Sequence, residues 1–228
     1  MIARLRILVC GAFAFVLILG AISGAMSGTA FAQRQSGEPG QFDYYVLSLS
    51  WSPSFCVTAS GAARAQECGK RSGFVVHGLW PQFDNGGFPE NCQVPPPRLD
   101  RRIVSATLDL MPATRLIYHE WDTHGTCSGL EQHDYFDLIR KARGAVTIPP
   151  QFDGPQQSEQ ASPADVLDAF VKANPGLAPD DIVVACDRSR LSEVRICLTR
   201  ELGFRSCGAA ARGACRADSI VIPPVRGR

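Results

Sequence analysis

Eight cysteines in the exported part of this chain constrain its fold more than any other sequence feature. They are Cys56, Cys68, Cys92, Cys127, Cys186, Cys197, Cys207 and Cys215. An even number of cysteines behind an export signal is typical of a domain held together by disulfides. Zinc binding is the weaker interpretation, because the chain contains no Cys-x-x-Cys pair. We therefore expect four disulfides, and the possible pairings number on the order of a hundred.

The N-terminal 32 residues have the pattern of a cleaved signal peptide. Arg4 and Arg6 precede an apolar run over 7–22, and residues 30–32 place alanines at the two positions that a signal peptidase reads. Cys10, the ninth cysteine, falls inside this run. A retained membrane anchor is the alternative, but the run is short for a span of about 20 residues. We expect a signal peptide over 1–32, a single domain over 33–228, a secreted or periplasmic location and no membrane attachment after cleavage.

The charge of the exported chain excludes a basic coat for nucleic acid. The full chain has 23 basic and 22 acidic residues, and loss of Arg4 and Arg6 leaves 21 basic residues against 22 acidic ones. Proteins that bind phosphate backbones without sequence preference usually carry a basic excess. Any contact with nucleic acid must therefore occur at a local site.

The hydrophobic pattern predicts an α+β domain. Strands are predicted at 42–51, 73–79, 182–185, 194–198 and 219–222. Helices are predicted at 99–110, 113–127 and 130–143, and from a Ser162 cap to the Asn174-Pro175-Gly176 stop. The remaining segments 52–72, 81–98 and 144–161 read as loops, the first closed by Cys56 and Cys68. Strands at both ends and helices between them indicate a central antiparallel sheet packed with several α-helices.

Three of the four histidines lie in two unusual segments, and the fourth is His133. The first segment, 74–81, reads FVVHGLWP and contains His77; the second, 119–127, reads HEWDTHGTC. If the second segment is helical, Glu120 and His124 share one face and His119 lies beside it. A carboxylate and two imidazoles in one small volume can move protons near neutral or mildly acidic pH.

Other interpretations of these histidines exist. His77 can be an ordinary half-buried strand residue, and a Glu–His pair four residues apart can be a surface pair worth a few tenths of a kcal/mol. Zinc ligands of the His-Glu-x-x-His type lie four residues apart on one helix face. Here the two histidines are five residues apart, about 140° round the helix, so we expect no metal and no cofactor.

The two segments resemble the two signature segments of the ribonuclease T2 family. The first matches the family form His-Gly-Leu-Trp-Pro at every position, and the second matches His-Glu-Trp-x-Lys-His-Gly-Thr-Cys at every fixed position except one. The resemblance also includes an early strand that ends near residues 51–53 and a cysteine-bearing C-terminal part.

This resemblance implies a metal-independent endoribonuclease that cuts single-stranded RNA. The 2′-hydroxyl of RNA would attack the adjacent phosphorus to give a 2′,3′-cyclic phosphate and then a 3′-phosphate. By motif position, His124 would be the general base, His77 the general acid, His119 a phosphate ligand and Glu120 an assistant at the phosphate centre. RNA is then the expected partner, and the protein is expected to be a monomer.

Thr123 departs from the family pattern, which usually has a lysine there. Threonine can donate a hydrogen bond but carries no charge for the transition state, and an arginine from elsewhere in the chain could stand in for the lysine. A catalytically weakened relative that binds RNA or a partner protein is therefore the alternative function. A zinc hydrolase is a second alternative, which the histidine spacing disfavours.

The resemblance also suggests where the base binds and how the cysteines pair. Trp80 and Phe88 would stack on a base, a contact worth about 1–3 kcal/mol, and Gln82 lies where some family members have an acid. Core packing is the other interpretation of Trp80. The implied disulfides are Cys92–Cys127 and the nested pair Cys186–Cys215 and Cys197–Cys207, beside a local Cys56–Cys68 bridge.

Overall fold

The computed structural model describes residues 37–61 and 66–225, all within one compact unit. The predicted signal peptide lies outside these residues. The strands are β1 (Tyr44–Trp51), β2 (Phe74–Gln82), β3 (Glu159–Ala161), β4 (Ile182–Asp187), β5 (Arg190–Leu198) and β6 (Ile220–Ile222). The helices are α1 (Ser52–Thr58), α2 (Arg101–Thr107), α3 (Thr114–Thr123), α4 (Gln132–Gly144) and α5 (Pro163–Ala173).

The first strand, β1, lies between β2 and β5 and pairs antiparallel with both. β4 pairs antiparallel with the other side of β5, and the short β6 and β3 extend the sheet from one end of β5. Among the described strands, the single residue pair between β5 and β6 is the one parallel contact. This arrangement confirms the predicted α+β class with a central antiparallel sheet.

Both faces of β1 are buried, because each faces a different apolar cluster. Leu47, Leu49 and Trp51 point into the main core with the apolar sides of α3 and α4. Tyr44 and Val46 point to the opposite face, into a smaller cluster that includes Cys197 and Cys207. The candidate site lies on this second face, so the main core supports it from behind.

The helix that begins at Ser162 follows from its sequence as predicted. The Ser162 side chain accepts a hydrogen bond from the Asp165 backbone, and the Asp165 carboxylate accepts one from the Ser162 backbone in return. This capping box satisfies two backbone donors that a helix N-terminus otherwise leaves free. Pro163 occupies the first turn, where its missing N–H costs nothing.

Several predicted boundaries are wrong. Residues 52–72 are predicted to form a loop, but the structure has the helix α1 at the start of this segment. Ser52 and Pro53 begin that helix. The predicted helix 113–127 breaks after Thr123, and a 3₁₀ turn, Gly125–Cys127, follows. The second strand continues through Gln82, beyond its predicted end at 79, and the predicted loop 144–161 ends in β3.

All four expected disulfides are present: Cys56–Cys68, Cys92–Cys127, Cys186–Cys215 and Cys197–Cys207. The second one joins the long loop after β2 to the 3₁₀ turn after α3, and so fixes the loop beside the histidine segment. Within the described residues, no helix has the length and apolar character needed to cross a membrane.

Candidate active site

A β-bulge in β2 determines where His77 points. Ser48 pairs with Gly78 and the next residue, Leu49, pairs with Val76, so His77 is the extra residue of β2. Bulges of this kind change the direction of a side chain and are frequent next to active sites. The His77 side chain is about one-third exposed, at 33%.

The carboxylate of Glu120 is almost completely buried and lies against β2. Its residue is 1% exposed, and one carboxylate oxygen accepts a hydrogen bond of 2.7 Å from the indole N–H of Trp80. The other oxygen lies 3.7 Å from Nε2 of His77. A Cβ at position 78 would overlap both the Glu120 carboxylate and the Trp80 indole nitrogen, so Gly78 is required for this approach.

His124 caps the C-terminus of α3 and is also buried, at 8% exposure. Its ring packs against Trp80 and Phe88, with centroid distances of 5.5 and 5.7 Å. No described residue makes a hydrogen bond to its Nδ1. Burial, together with the charges of His119 and His77, lowers the pKa of His124 to about 3, so this imidazole is neutral over most of the pH range.

The pKa of His77 is shifted in the opposite direction to that of His124. Burial opposes its charged form, but the hydrogen bond and charge of Glu193 and the charge of Glu120 outweigh burial and raise its pKa above the ordinary value. Burial raises the pKa of Glu120 to about 7, against the opposing effects of His77 and Trp80. The site therefore holds one imidazole that favours the protonated form and one that favours the neutral form.

Glu193 and Arg195 on β5 complete the surroundings of His77, and sequence reasoning missed both. Nδ1 of His77 lies 2.6 Å from one carboxylate oxygen of Glu193, and the guanidinium of Arg195 donates to the other at 2.6 and 2.8 Å. The predicted strand began at 194 and so excluded Glu193. The available signal was two charges spaced two residues apart in an apolar strand, which places both on one face.

His119 and Thr123 lie on the exposed side of α3. The Thr123 hydroxyl and Nδ1 of His119 are 3.3 Å apart, and the backbone spacing of four residues explains this contact. His119 also lines a cavity of about 360 Å³ with His77, Glu67 and Arg115. Thus His77 borders both this cavity and the buried pair of Trp80 and Glu120.

The three residues predicted to bind a base occupy different surroundings. Trp80 contacts both His77 and His124, with its ring 5.2 Å from the first and 5.5 Å from the second. Phe88 is 48% exposed and lies beside His124. Gln82 is buried at 8% exposure, and its amide nitrogen donates to the Pro81 carbonyl oxygen. Phe88 is therefore exposed enough for its ring to contact a ligand, whereas the Gln82 side chain is buried inside the protein.

The assembled side chains provide an acid, a base and hydrogen-bond donors within one small region. His77 lies beside Glu120 and Trp80 and shares the cavity with His119, and His124 packs on Trp80. His133, by contrast, is exposed on α4 beside Asp134 and Asp137. Within residues 37–61 and 66–225, no group of three or more His, Cys, Asp or Glu side chains is arranged to hold a metal ion. This arrangement suits proton transfer at a bound phosphate.

Comparison with known proteins gives consistent results. The model of the ribonuclease T2 family matches residues 42–207. A ribonuclease from Aeromonas hydrophila is 41% identical over 128 residues, which make up 56% of each chain. Ribonuclease 3 from Arabidopsis thaliana is 26% identical over 195 residues, which cover 76% of this chain and 86% of that one. The match therefore spans little more than half the length of the bacterial relative.

Solved structures share the fold. An RNase-related protein from Calystegia sepium has a TM-score of 0.66 at 22% identity, covering 81% of this chain and 98% of its own. RNase NT in complex with 5′-AMP has a TM-score of 0.62 at 24% identity, covering 80% and 98%. At these identities the likeness establishes the fold alone.

Proposed function

This chain belongs to the ribonuclease T2 family, and we propose that it is an endoribonuclease that cuts single-stranded RNA without a metal ion. The observation that carries the proposal is the placement of two histidines on one indole: His77, held between Glu193 and Glu120, and the buried His124 both pack against Trp80. His77 favours the protonated form, as a general acid requires, and His124 favours the neutral form, as a general base requires.

In the proposed first step, His124 takes the proton from the 2′-hydroxyl while the 2′-oxygen forms a bond to the adjacent phosphorus. The bond from phosphorus to the 5′-oxygen breaks, and His77 gives its proton to that oxygen. The products are a 2′,3′-cyclic phosphate and a 5′-hydroxyl. In the second step, neutral His77 takes a proton from a water molecule whose oxygen forms a bond to phosphorus. The bond from phosphorus to the 2′-oxygen breaks, and protonated His124 gives its proton to that oxygen, which leaves a 3′-phosphate and a free 2′-hydroxyl.

His119 and Glu120 have supporting roles in this proposal. His119 is exposed at the edge of the cavity and can donate to a phosphate oxygen. Glu120 lies 3.7 Å from Nε2 of His77 and has a pKa of about 7, so it can share a proton with the phosphate centre near neutral pH. Positioned acid–base groups typically contribute about 10²–10⁴-fold each.

The substrate is proposed to lie across His77, with one nucleotide on each side. Phe88, exposed beside His124, is the proposed stacking surface for the base that carries the attacking hydroxyl. The cavity lined by His77 and His119 has room for the nucleoside that leaves. Trp80 and Gln82 are predicted from the sequence to contact the base. Trp80 fits better as the hydrogen-bond donor that orients Glu120. Gln82 fits better as a residue that stabilises the end of β2 through its hydrogen bond to Pro81.

Arg115 is the proposed source of the positive charge that Thr123 lacks. It lies on α3 one helical turn before His119 and lines the same cavity. Arg195, the other nearby arginine, has its guanidinium engaged with Glu193. A catalytically weakened protein that binds RNA or a partner is the second candidate, because Thr123 brings no charge to the site.

Four disulfides indicate that the protein works in an oxidising compartment, and we propose secretion or periplasmic location after removal of residues 1–32. We propose that it acts as a monomer, because each of the proposed catalytic groups comes from one chain.

The decisive experiment is cleavage of a short RNA by the purified, disulfide-bonded protein in EDTA, from about pH 4 to 8, beside His124→Ala. We expect cyclic-phosphate products from the wild type and a loss of at least about 100-fold in the variant. A folded wild-type protein that binds the RNA without cleaving it would favour the second candidate. Cleavage that EDTA abolishes would overturn the metal-independent mechanism.

A further inference from the structure

We infer that Glu193 is a positioning residue for His77 and that Arg195 holds the Glu193 carboxylate in place. This inference rests on the proposed function, because it assigns two residues of β5 a part in the same reaction. Neither residue lies in the two histidine segments.

The sheet register brings Glu193 to His77. On β1, Ser48 lies between Gly78 and Arg195, and Ser50 lies between Val75 and Glu193. Residues directly opposite each other in antiparallel strands point to the same face. The two serines between β2 and β5 are small, so the bulged His77 can reach over β1 to the carboxylate. A large side chain at position 48 or 50 would occupy that space.

Each oxygen of the Glu193 carboxylate has its own partner. One oxygen lies 2.6 Å from Nδ1 of His77 and 3.5 Å from the Ser50 hydroxyl. The other accepts from Nε and Nη2 of Arg195 at 2.8 and 2.6 Å. The Glu193 side chain is 12% exposed, so water competes little for either oxygen. Charge-assisted hydrogen bonds of this length fix the orientation of a carboxylate.

This contact determines which nitrogen of His77 can react. With its Nδ1–H donated to Glu193, the ring presents Nε2 to Glu120, at 3.7 Å, and to the cavity. When Nε2 gives its proton to the leaving oxygen, the neutral ring keeps its hydrogen on Nδ1 and stays in the same orientation. Carboxylates that hold a reactive histidine in this way stabilise the imidazolium without taking its proton.

Several charged or titratable groups lie around His77. From β5 these are Glu193 and Arg195, from α3 and its cap Arg115, His119, Glu120 and the neutral His124, and from the segment after α1 Glu67. Burial alone would raise the pKa of Glu193, but the hydrogen bond and charge of His77 and the charge of Arg195 hold it at about 2. Glu193 is therefore ionised throughout the range in which the reaction would run.

The test is the substitution Glu193→Gln, read by NMR titration of the His77 ring in the folded protein and by the pH dependence of RNA cleavage. Glutamine keeps the shape of the side chain but removes its charge. We expect the pKa of His77 to fall by about one unit or more and the alkaline limb of kcat to move with it. We also expect kcat to fall about 10–100-fold, with KM changed far less. An unchanged His77 titration would overturn the inference.

A second substitution, Arg195→Gln, should shift the pKa of His77 in the opposite direction. The Arg195 charge opposes protonation of His77, so its removal should raise the pKa of His77 while kcat falls through the loss of carboxylate orientation. This variant also keeps the inference testable if Glu193→Gln does not fold. A kcat equal to that of the wild type would exclude the positioning role of Arg195.

Asp187→Asn provides the matched control. Asp187 lies on the same β4–β5 hairpin and pairs with Arg190 at 3.3 Å on the surface. We expect its removal to leave the His77 titration and kcat unchanged; a shift equal to that of Glu193→Gln would show a general charge effect and overturn the inference. The titration needs no RNA, so an inactive wild type with a shifted His77 in Glu193→Gln would refute the proposed function alone.

Discussion

At the scale of single residues, the neighbours of each histidine determine its protonation state. His77 and His124 have the same side chain, yet burial lowers the pKa of His124 to about 3, whereas burial of His77 is outweighed by the hydrogen bond and charge of Glu193. The difference depends on partners: a carboxylate lies 2.6 Å from His77, while Nδ1 of His124 has no partner among the described residues. The two proposed catalytic roles follow from this difference.

At the same scale, Thr123→Lys should raise the rate of RNA cleavage. Lysine would add a positive charge one turn after His119, where the developing phosphorane charge is proposed to lie. We expect kcat to rise by up to about tenfold, measured at the pH optimum. Gln160→Lys adds the same charge on β3, where the side chain is exposed, and should leave kcat unchanged. Equal kcat values for both variants would mean that the site already has sufficient positive charge.

Glu120→Gln should stabilise the protein at alkaline pH while it lowers activity. Burial raises the pKa of Glu120 to about 7 from its ordinary value of 4.5, so the folded state holds its proton more tightly than the unfolded state. The carboxyl therefore destabilises the fold progressively as pH rises from 4.5 towards 7, and fully above it. Glutamine removes this cost and can still accept from Trp80.

We expect the Glu120→Gln variant to match the wild type near pH 4 and to exceed it by on the order of 2 kcal/mol near pH 8, in the free energy of unfolding measured with urea. A stability difference that is the same at both pH values would contradict the raised pKa. Its activity should fall about 10-fold or more across the pH range.

At the scale of elements, the site depends on a close contact between β2 and α3. The bulge in β2 turns His77 towards β5, and the absence of a side chain at Gly78 lets the buried Glu120 of α3 approach the strand. The α3 helix ends at Thr123, so His124 leaves the helical course and packs on Trp80 and Phe88 instead. Both irregularities lie within the two histidine segments.

Gly78→Ala should damage the site more than the fold. The added methyl group would overlap the Glu120 carboxylate and the Trp80 nitrogen, so α3 must shift or Glu120 must turn away. We expect kcat to fall about 100-fold or more and stability to fall by about 1–3 kcal/mol. Gly144→Ala is the control, because a Cβ there meets nothing within 4 Å. If both variants kept full activity, the close contact would not be needed.

At the scale of the whole molecule, disulfides and the main core hold the site from opposite directions. The core lies behind the sheet, and the Cys92–Cys127 bridge ties the loop that carries Phe88 to the turn after His124. The Cys197–Cys207 bridge starts on β5, two residues after Arg195. The C-terminal segment is thereby attached to the strand that carries Glu193.

Removing the Cys92–Cys127 bridge should affect both stability and activity. In Cys92→Ala with Cys127→Ala, loss of a link across 35 residues should cost about 2–4 kcal/mol in the free energy of unfolding. We expect KM to rise as well, because Phe88 loses its fixed position beside His124. Cys56→Ala with Cys68→Ala removes a bridge across 12 residues. It should lower stability and leave KM near the wild-type value; an equal rise in KM would contradict the special role of the Cys92 loop.

Much of the fold followed from local patterns. The Ser162 cap and the helices α4 and α5 each depend on neighbours a few residues apart, and they appear as predicted. Two boundaries failed for different reasons. At Ser52-Pro53 the local signal was misread, because proline also suits the first turn of a helix and here begins α1. At Thr123 a tertiary contact decides, because the break in the helix allows His124 to reach the Trp80 ring.

The sequence by itself determined the family, the α+β class, the local Cys56–Cys68 bridge, the three disulfides expected from the resemblance and the histidine segments, because these are carried by motifs and short-range patterns. Only the tertiary structure decided which groups surround each histidine. Glu193 and His77 are 116 residues apart, and a bulge in one strand and the register of two others bring them together. The register of strands so far apart in sequence depends on which strands pair and which of their faces are buried, so the pattern within β2 or β5 alone does not specify it.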